Sequence, residues 1–408
     1  MNIPDDAFFA LLTRGIQQRG DATLQRALYQ ALREAILQGE LLSHSRLPGA
    51  RVIAQRAGVS RNTVNSALEQ LAIEGYLIRS RQGTYVAALN TLAESEPAPP
   101  TFVLPERLRT LPLPGRRDSP ALLLTTGMPA VNYFPLVIWR RLLDRVLRED
   151  GSTILGYGEA AGEPALREAI ARHLTLSRGI RCTARQIVIT EGALEGVNLC
   201  THLLSVAGDT AWVEEPGYFG AKSVFIKAGL QLKGIPVDGD GMCPDSVNEV
   251  APRLIFTSPS HQYPSGAVMS AGRRLALLEY ARQHDAWIVE DDYDSEFRYS
   301  GEPIQAMLGM VAQAPVVYLG TFSKTLFPSL RIGFAVMPSA LAEAAQGAIG
   351  ALLRGGHRLE QRALALFIEE GHYARHLASM RRLYRRRQQQ LREAVASEFT
   401  LANEIWGG

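Results

Sequence analysis

Gly320-Thr321-Phe322-Ser323-Lys324-Thr325-Leu326-Phe327-Pro328-Ser329-Leu330-Arg331 holds one of only four lysines in a chain of 408 residues. A lysine amine is the side chain that can hold an aldehyde as a Schiff base. Ahead of it runs Val316-Val317-Tyr318-Leu319, an apolar segment that reads as a buried strand. The hydroxyls of Thr321 and Ser323 and the guanidinium of Arg331 lie close in sequence to the amine. An amine, hydroxyl donors and a fixed cation are the groups that anchor a phosphorylated aldehyde. The other lysines, Lys222, Lys227 and Lys233, crowd into one short amphipathic stretch and read as surface charges.

Outward from this loop, apolar runs alternate with helical patterns. Ile187-Val188-Ile189, Ala211-Trp212-Val213, Leu254-Ile255-Phe256, Trp287-Ile288-Val289, Val316-Val317-Tyr318-Leu319 and Phe334-Ala335-Val336 are the expected strands. The alternation predicts an α/β domain with a mainly parallel sheet covered by helices. Ligands of such sheets gather at the carboxyl ends of strands. The polar residues there are Thr190-Glu191-Gly192-Ala193, Glu214-Glu215-Pro216-Gly217-Tyr218, Thr257 to Gly266, and Glu290-Asp291-Asp292-Tyr293. A strand, a small-residue turn and a helix start at Gly192-Ala193 make a phosphate cradle. With an acid for a ring nitrogen and an aromatic plate, these clusters are the inventory of a pyridoxal 5′-phosphate site.

The first ninety residues follow a different rule. Leu24, Leu28, Leu32, Ile36 and Leu37 lie on one helical face, and Gly39 ends it. Val52, Ile53 and Ala57 mark a second short helix closed by Gly58. Ser60 is an N-cap for a third, with Val64, Leu68 and Leu71 inside. Tyr76-Leu77-Ile78 and Tyr85-Val86, broken at Gly83, predict a two-stranded wing. Between Leu41 and Asn90 there are six arginines and two glutamates, a local excess of positive charge within a chain of net charge +2. Ser60, Arg61, Asn62, Thr63 and Asn65 at the start of the third helix suit base edges and phosphates. Arg51, Arg79, Arg81 and the Gly83 turn suit the DNA backbone or minor groove.

Pro97, Pro99, Pro100, Pro105, Pro112, Pro114 and Pro120 predict an extended linker. The expected division is a DNA-binding domain over 1–88, a linker over 89–120 and a cofactor domain over 121–408. Three widely spaced cysteines give neither a disulfide framework nor a metal site, so no metal is expected. An acidic N-terminus and the lack of a long apolar run argue against secretion and membrane insertion. A reduced, cytoplasmic protein is expected. Gly156-Tyr157-Gly158-Glu159-Ala160-Ala161-Gly162 is no dinucleotide motif, and Asp238-Gly239-Asp240-Gly241 reads as a hairpin turn rather than a calcium loop.

The run Leu47-Pro48-Gly49-Ala50-Arg51, then Gly58 to Val64, then Glu74-Gly75-Tyr76-Leu77 resembles the GntR-type winged helix-turn-helix over about residues 22–87. Its wing, Arg81 to Val86, is shorter than that family's glycine-paired turn. The strand-end clusters resemble fold-type I aminotransferases, and most closely the aminotransferase-like domain of MocR regulators. The resemblance implies that Lys324 carries the cofactor, that Asp291 pairs with the pyridine nitrogen and that Tyr293 binds the phenolic oxygen. It implies Tyr218 stacked on the ring, and Gly192, Ala193, Thr321, Ser323 and Arg331 around the phosphate. Tyr157 would reach the partner subunit's site in a homodimer. His261-Gln262-Tyr263 stands where the aminotransferases have Asn-Pro. Past Arg331 the chain reads as long helices, including the basic run Arg381 to Arg387, taken as a solvated face. A C-terminal small domain, with its carboxylate-binding arginine, is expected to be truncated.

Two functions are thus in view, beside a third reading as a degenerate scaffold that holds no cofactor. One is a transcription regulator that binds promoter DNA and senses an amine, an amino acid or the cofactor. The other is an active aminotransferase with an appended DNA-binding domain.

Overall fold

The computed structural model describes residues 5–18, 20–89, 103–109, 111, 127–244, 250–298 and 304–398. The chain divides into two compact units, Met1–Val103 and Leu104–Gly408. Most of the expected linker and the last ten residues lie outside the described residues.

In the first unit, α1 (Asp5–Gln17), α2 (Leu24–Leu37), α3 (Ala50–Ala57) and α4 (Arg61–Ile73) precede strands β1 (Leu77–Ser80) and β2 (Gly83–Val86). The Thr23 hydroxyl starts α2 by accepting the Arg26 N–H, and Ser60 starts α4 by accepting the Thr63 N–H at 3.0 Å. Gly58, at φ 67°, closes α3 in the left-handed conformation. Leu28, Leu32, Ile36, Ile53, Val64, Leu68 and Leu71 form one core with Phe8 and Leu12 of α1, a helix the sequence reading did not find. Leu37, expected on the apolar face of its helix, is exposed, as is Val52 of the second helix. Each adjoins a buried isoleucine, and successive helical residues are turned too far around the axis to share its face. The wing is as expected, with Ser80 opposite Gly83. A third extended segment backs it: the N–H groups of His44 and Leu47 donate to Val86 O and Thr84 O, both at 2.9 Å.

In the second unit, a one-turn helix α5 (Glu106–Arg109) falls within the expected linker. Then follow α6 (Leu136–Asp150), α7 (Pro164–Ser177), β3 (Ile187–Thr190), α8 (Ala193–Leu204), β4 (Thr210–Glu215), α9 (Phe219–Ala228), β5 (Gln231–Asp238), β6 (Gly241–Met242), β7 (Leu254–Thr257), α10 (Ala271–Gln283), β8 (Trp287–Asp292), β9 (Val316–Thr321), β10 (Gly333–Val336), α11 (Ser339–Leu352), α12 (Arg358–Glu369) and α13 (His372–Glu398). The strands make one sheet in the order β3-β10-β9-β8-β7-β4-β5-β6. β9, β8, β7, β4 and β5 run parallel, while β10 is antiparallel to both its neighbours. Both faces are covered. Ile187, Ile189, Tyr318 and Phe334 pack on one side with residues of α6, α7 and α12, and Val188, Val213, Val317 and Leu319 on the other with residues of α8, α9 and α11. All six expected strands are present. β5 was missed because Lys233, Gly234 and Pro236 interrupt its apolar pattern, which suits a strand near the sheet margin. It turns back at Asp238-Gly241, where the Asp238 carboxylate accepts the Asp240 N–H at 2.8 Å. Among the described residues no group of side chains could hold a metal ion, and no helix is long and apolar enough to cross a membrane.

Candidate functional site

Because β7, β8 and β9 are parallel, their polar ends fall on one edge, and register places Thr257 beside Glu290 and Asp292 beside Gly320. Asp291 is buried there. Burial first, then the Asp292 carboxylate, push it up to about 7, while Lys324 pulls the other way. Asp291 Oδ1 is buried without a hydrogen-bond partner. A buried acceptor in that state calls for a donor, and a protonated ring nitrogen supplies one. Tyr293 follows directly; burial and then Asp294 raise its hydroxyl far above the usual range, so it stays a donor. Lys324 Nζ donates to Gly127 O at 2.8 Å.

The phosphate end is built by β10. Gly333 pairs with Thr321 on one side and Thr190 on the other, so the ends of β3 and β9 flank the start of β10. A Cβ on Gly333 would stand 2.7 Å from the Gly192 carbonyl carbon, so only glycine permits this approach. Gly192, at φ 83°, is the N-cap of α8, and Ala193 begins the helix with its free N–H groups. Arg331, left-handed at φ 53°, brings Nη1 within 3.8 Å of where a Gly192 Cβ would be. The Thr321 hydroxyl accepts the Ser323 N–H at 3.2 Å. The Gly192 turn, the start of α8, the Arg331 guanidinium and the end of β9 at Thr321 are thus gathered around Gly333, and their chemistry fits a phosphate.

Tyr218 lies edge-on to Tyr263, with ring centroids 6.4 Å apart, and its ring covers Gly220 where a side chain would collide with it. Tyr157 is 97 % exposed and lines a 440 Å³ cavity with Arg331, Arg354, Glu191 and Glu195. A larger cavity of 1510 Å³ sits at the opposite edge of the sheet, among Gln186, Trp287, Pro315 and Pro338, away from Asp291 and Lys324.

Two polar groupings here were not assigned from sequence. Glu214 is buried and accepts from Thr257 Oγ1, Ser258 N and Oγ, and Gln262 Nε2 at 2.6–3.2 Å, which locks the loop after β7 to β4. His261 Nδ1 meets Asp294 Oδ2 at 2.8 Å, and the imidazole stacks on Tyr293 at 5.9 Å. Its hydrogen bond to Asp294 raises His261 from its ordinary value. The departure from Asn-Pro at 261–263 was the available signal.

In the first unit, Ser60, Arg61 and Asn62 are exposed at the start of α4, with Thr63 and Asn65 half-buried. Arg51, Arg79 and Arg81 are exposed, and none of them, nor Arg61, is ion-paired among the described residues. Gly83, at φ 143°, faces the guanidinium of Arg46, a further cation on the wing that the reading passed over.

Residues 24–86 match the family described as bacterial regulatory proteins, gntR family, and residues 123–404 match aminotransferase class I and II. The probable rhizopine catabolism regulatory protein MocR of Rhizobium meliloti is 42 % identical over 91 % of this chain and 77 % of its own. The pyridoxine biosynthesis regulator PdxR of Corynebacterium glutamicum is 32 % identical over 88 % of this chain and 76 % of its own. Among solved structures, a kynurenine aminotransferase of Pyrococcus horikoshii in complex with PMP superposes with a TM-score of 0.63 at 29 % identity, covering 69 % of this chain and 72 % of its own.

Proposed function

Because the chain belongs to the MocR-type regulators of the gntR family, which join a winged helix to an aminotransferase class I and II domain, we propose that it is a pyridoxal 5′-phosphate-dependent transcription regulator. One unit reads promoter DNA; the other holds the cofactor and senses a small amine, an amino acid or the cofactor itself. The observation that carries the reading is the orphaned Asp291 Oδ1, buried within electrostatic reach of Lys324 in a chain that also presents exposed arginines on a winged helix. The alternative of a working aminotransferase is set aside, since relatives that align over most of both domains are named as regulators.

Bound here, pyridoxal phosphate supplies an aldehyde that exchanges reversibly between amines and a ring that withdraws electrons. Lys324 would offer its amine to that aldehyde. Asp291 would accept a hydrogen bond from the protonated ring nitrogen, and Tyr293 would donate one to the phenolic oxygen. Tyr218 would lie on the ring face. The N–H groups at Gly192 and Ala193, the hydroxyls of Thr321 and Ser323, and Arg331 would hold the phosphate. An amine effector that displaces Lys324 would change what the amine contacts, and regulation requires that the two arrangements differ in DNA affinity. On the DNA side, Ser60, Arg61, Asn62, Thr63 and Asn65 would enter the major groove, with Arg51, Arg79, Arg81 and the Gly83 turn on the backbone.

We further take the boundary between reader and sensor to lie in the proline-rich stretch, and the working form to be a cytoplasmic homodimer. The near-complete exposure of Tyr157 supports its service to a partner subunit's site. The test is to titrate the full chain with pyridoxal phosphate, then with amines, following both cofactor absorbance and promoter affinity. Coupled changes are expected. Loss of the absorbance with no change in promoter affinity would overturn the regulator reading.

A further inference from the structure

Arg178 follows α7, far in sequence from Lys324, yet only 5 % of it is exposed. Nη2 meets Asp292 Oδ2 at 2.8 Å and donates to Ser260 Oγ at 2.6 Å, while Nη1 donates to Ile304 O at 2.5 Å. Asp292 also accepts from Tyr318 OH at 2.6 Å and Ser295 Oγ at 2.8 Å. These partners belong to the loop after β7, the end of β8 and the strand β9 that leads to Thr321. One buried cation thus ties the loop after β7 to the end of β8 and, through Asp292, reaches Tyr318 within β9.

Asp292 stands between Asp291 and Tyr293 in sequence, and strand alternation turns it to the face opposite Asp291. The carboxylate is buried, so removal of its cation would leave an uncompensated charge directly behind the site. After burial itself, Asp292 is already the strongest influence holding a proton on Asp291. We propose that Arg178 is a positioning residue of the cofactor site: by neutralising Asp292 and pinning the end of β8 to the loop after β7, it fixes where Asp291 and Tyr293 stand and the charge they face. The proposal rests on the reading of those two residues as cofactor partners.

The test uses the full chain titrated with pyridoxal 5′-phosphate, reading the dissociation constant, the pH midpoint of the bound cofactor's absorbance and the thermal midpoint. Arg178→Met should bind about tenfold more weakly or worse and move the pH midpoint upward by about one unit, because a negative charge is left uncompensated. Arg178→Lys should stay close to the parent. Adding Asp292→Asn to Arg178→Met should bring the pH midpoint back, which loss of packing alone would not do. An Arg178→Met protein that melts earlier but keeps the parent's affinity and pH midpoint would overturn the proposal. If that variant does not fold, Asp292→Asn alone decides: it should weaken binding and move the midpoint downward, and parental values for both would overturn the proposal. Asp291→Asn and Lys324→Ala run alongside. If they too bind and absorb like the parent, the cofactor reading itself fails; if they lose binding while the Arg178 variants do not, only this inference does.

Discussion

The two units hold their functional charges in opposite ways. Around α4 and the wing, Arg51, Arg61, Arg79 and Arg81 stand in solvent without ion pairs among the described residues. At the sheet edge, Glu214, Glu290, Asp291 and Asp292 are all buried, and each of them but Asp291 is satisfied on both oxygens or ion-paired. Exposed cations carry binding at little consequence for folding. Buried acids shape a site by being desolvated, so a change there moves both function and stability.

The largest test of that contrast is Lys324→Ala, which should abolish the visible absorbance of bound cofactor and leave promoter affinity indifferent to added pyridoxal phosphate. Asp291→Asn should weaken cofactor binding by roughly 1.5–3 kcal/mol, the range for a hydrogen bond to a charged group, as read by titration. In the other unit, Arg61→Ala or Asn62→Ala should cost about 1–3 kcal/mol of sequence-specific DNA affinity with an unchanged melting temperature. A fall in melting temperature for these surface variants would break the comparison.

pH sharpens it further. His173 is driven down to about 4 by burial, with Arg381 adding to it, so the folded chain binds fewer protons than the unfolded chain between about 4 and 6.5. Its contribution is complete above the unfolded value and is lost as pH falls through that window. Asp291, raised to about 7, acts in the reverse sense: cofactor-free protein should lose stability as pH rises from about 4 to 7. His173→Phe should flatten the first slope and Asp291→Asn the second, in thermal melts across that range. The smallest effect is expected of Ser60→Ala, about 1 kcal/mol of stability from a lost N-cap.

Much of this was legible because local chemistry and tertiary role coincide. Lys324, Thr321 and Arg331 share one loop, Ser60 caps the helix it precedes, and six strands announce themselves by continuous apolar runs. What stayed hidden depends on distant partners. Arg178 reads as a surface residue after a helix until Asp292 and Ser260 are brought to it. The pairing of His261 with Asp294 joins two loops, and α1 is recognisable only once Phe8 and Leu12 have α2 and α3 to pack on.

The insertion of β10 between β3 and β9 also sets a timetable. Thr190 waits for Gly333, and Ile187 for Val336, before either strand is paired at its inner edge. Contacts so distant along the chain close late. During synthesis the whole first unit, which ends at Val103, emerges before β10, the strand that completes the sheet between β3 and β9. The winged helix is therefore in place before the other unit has all the strands of its sheet.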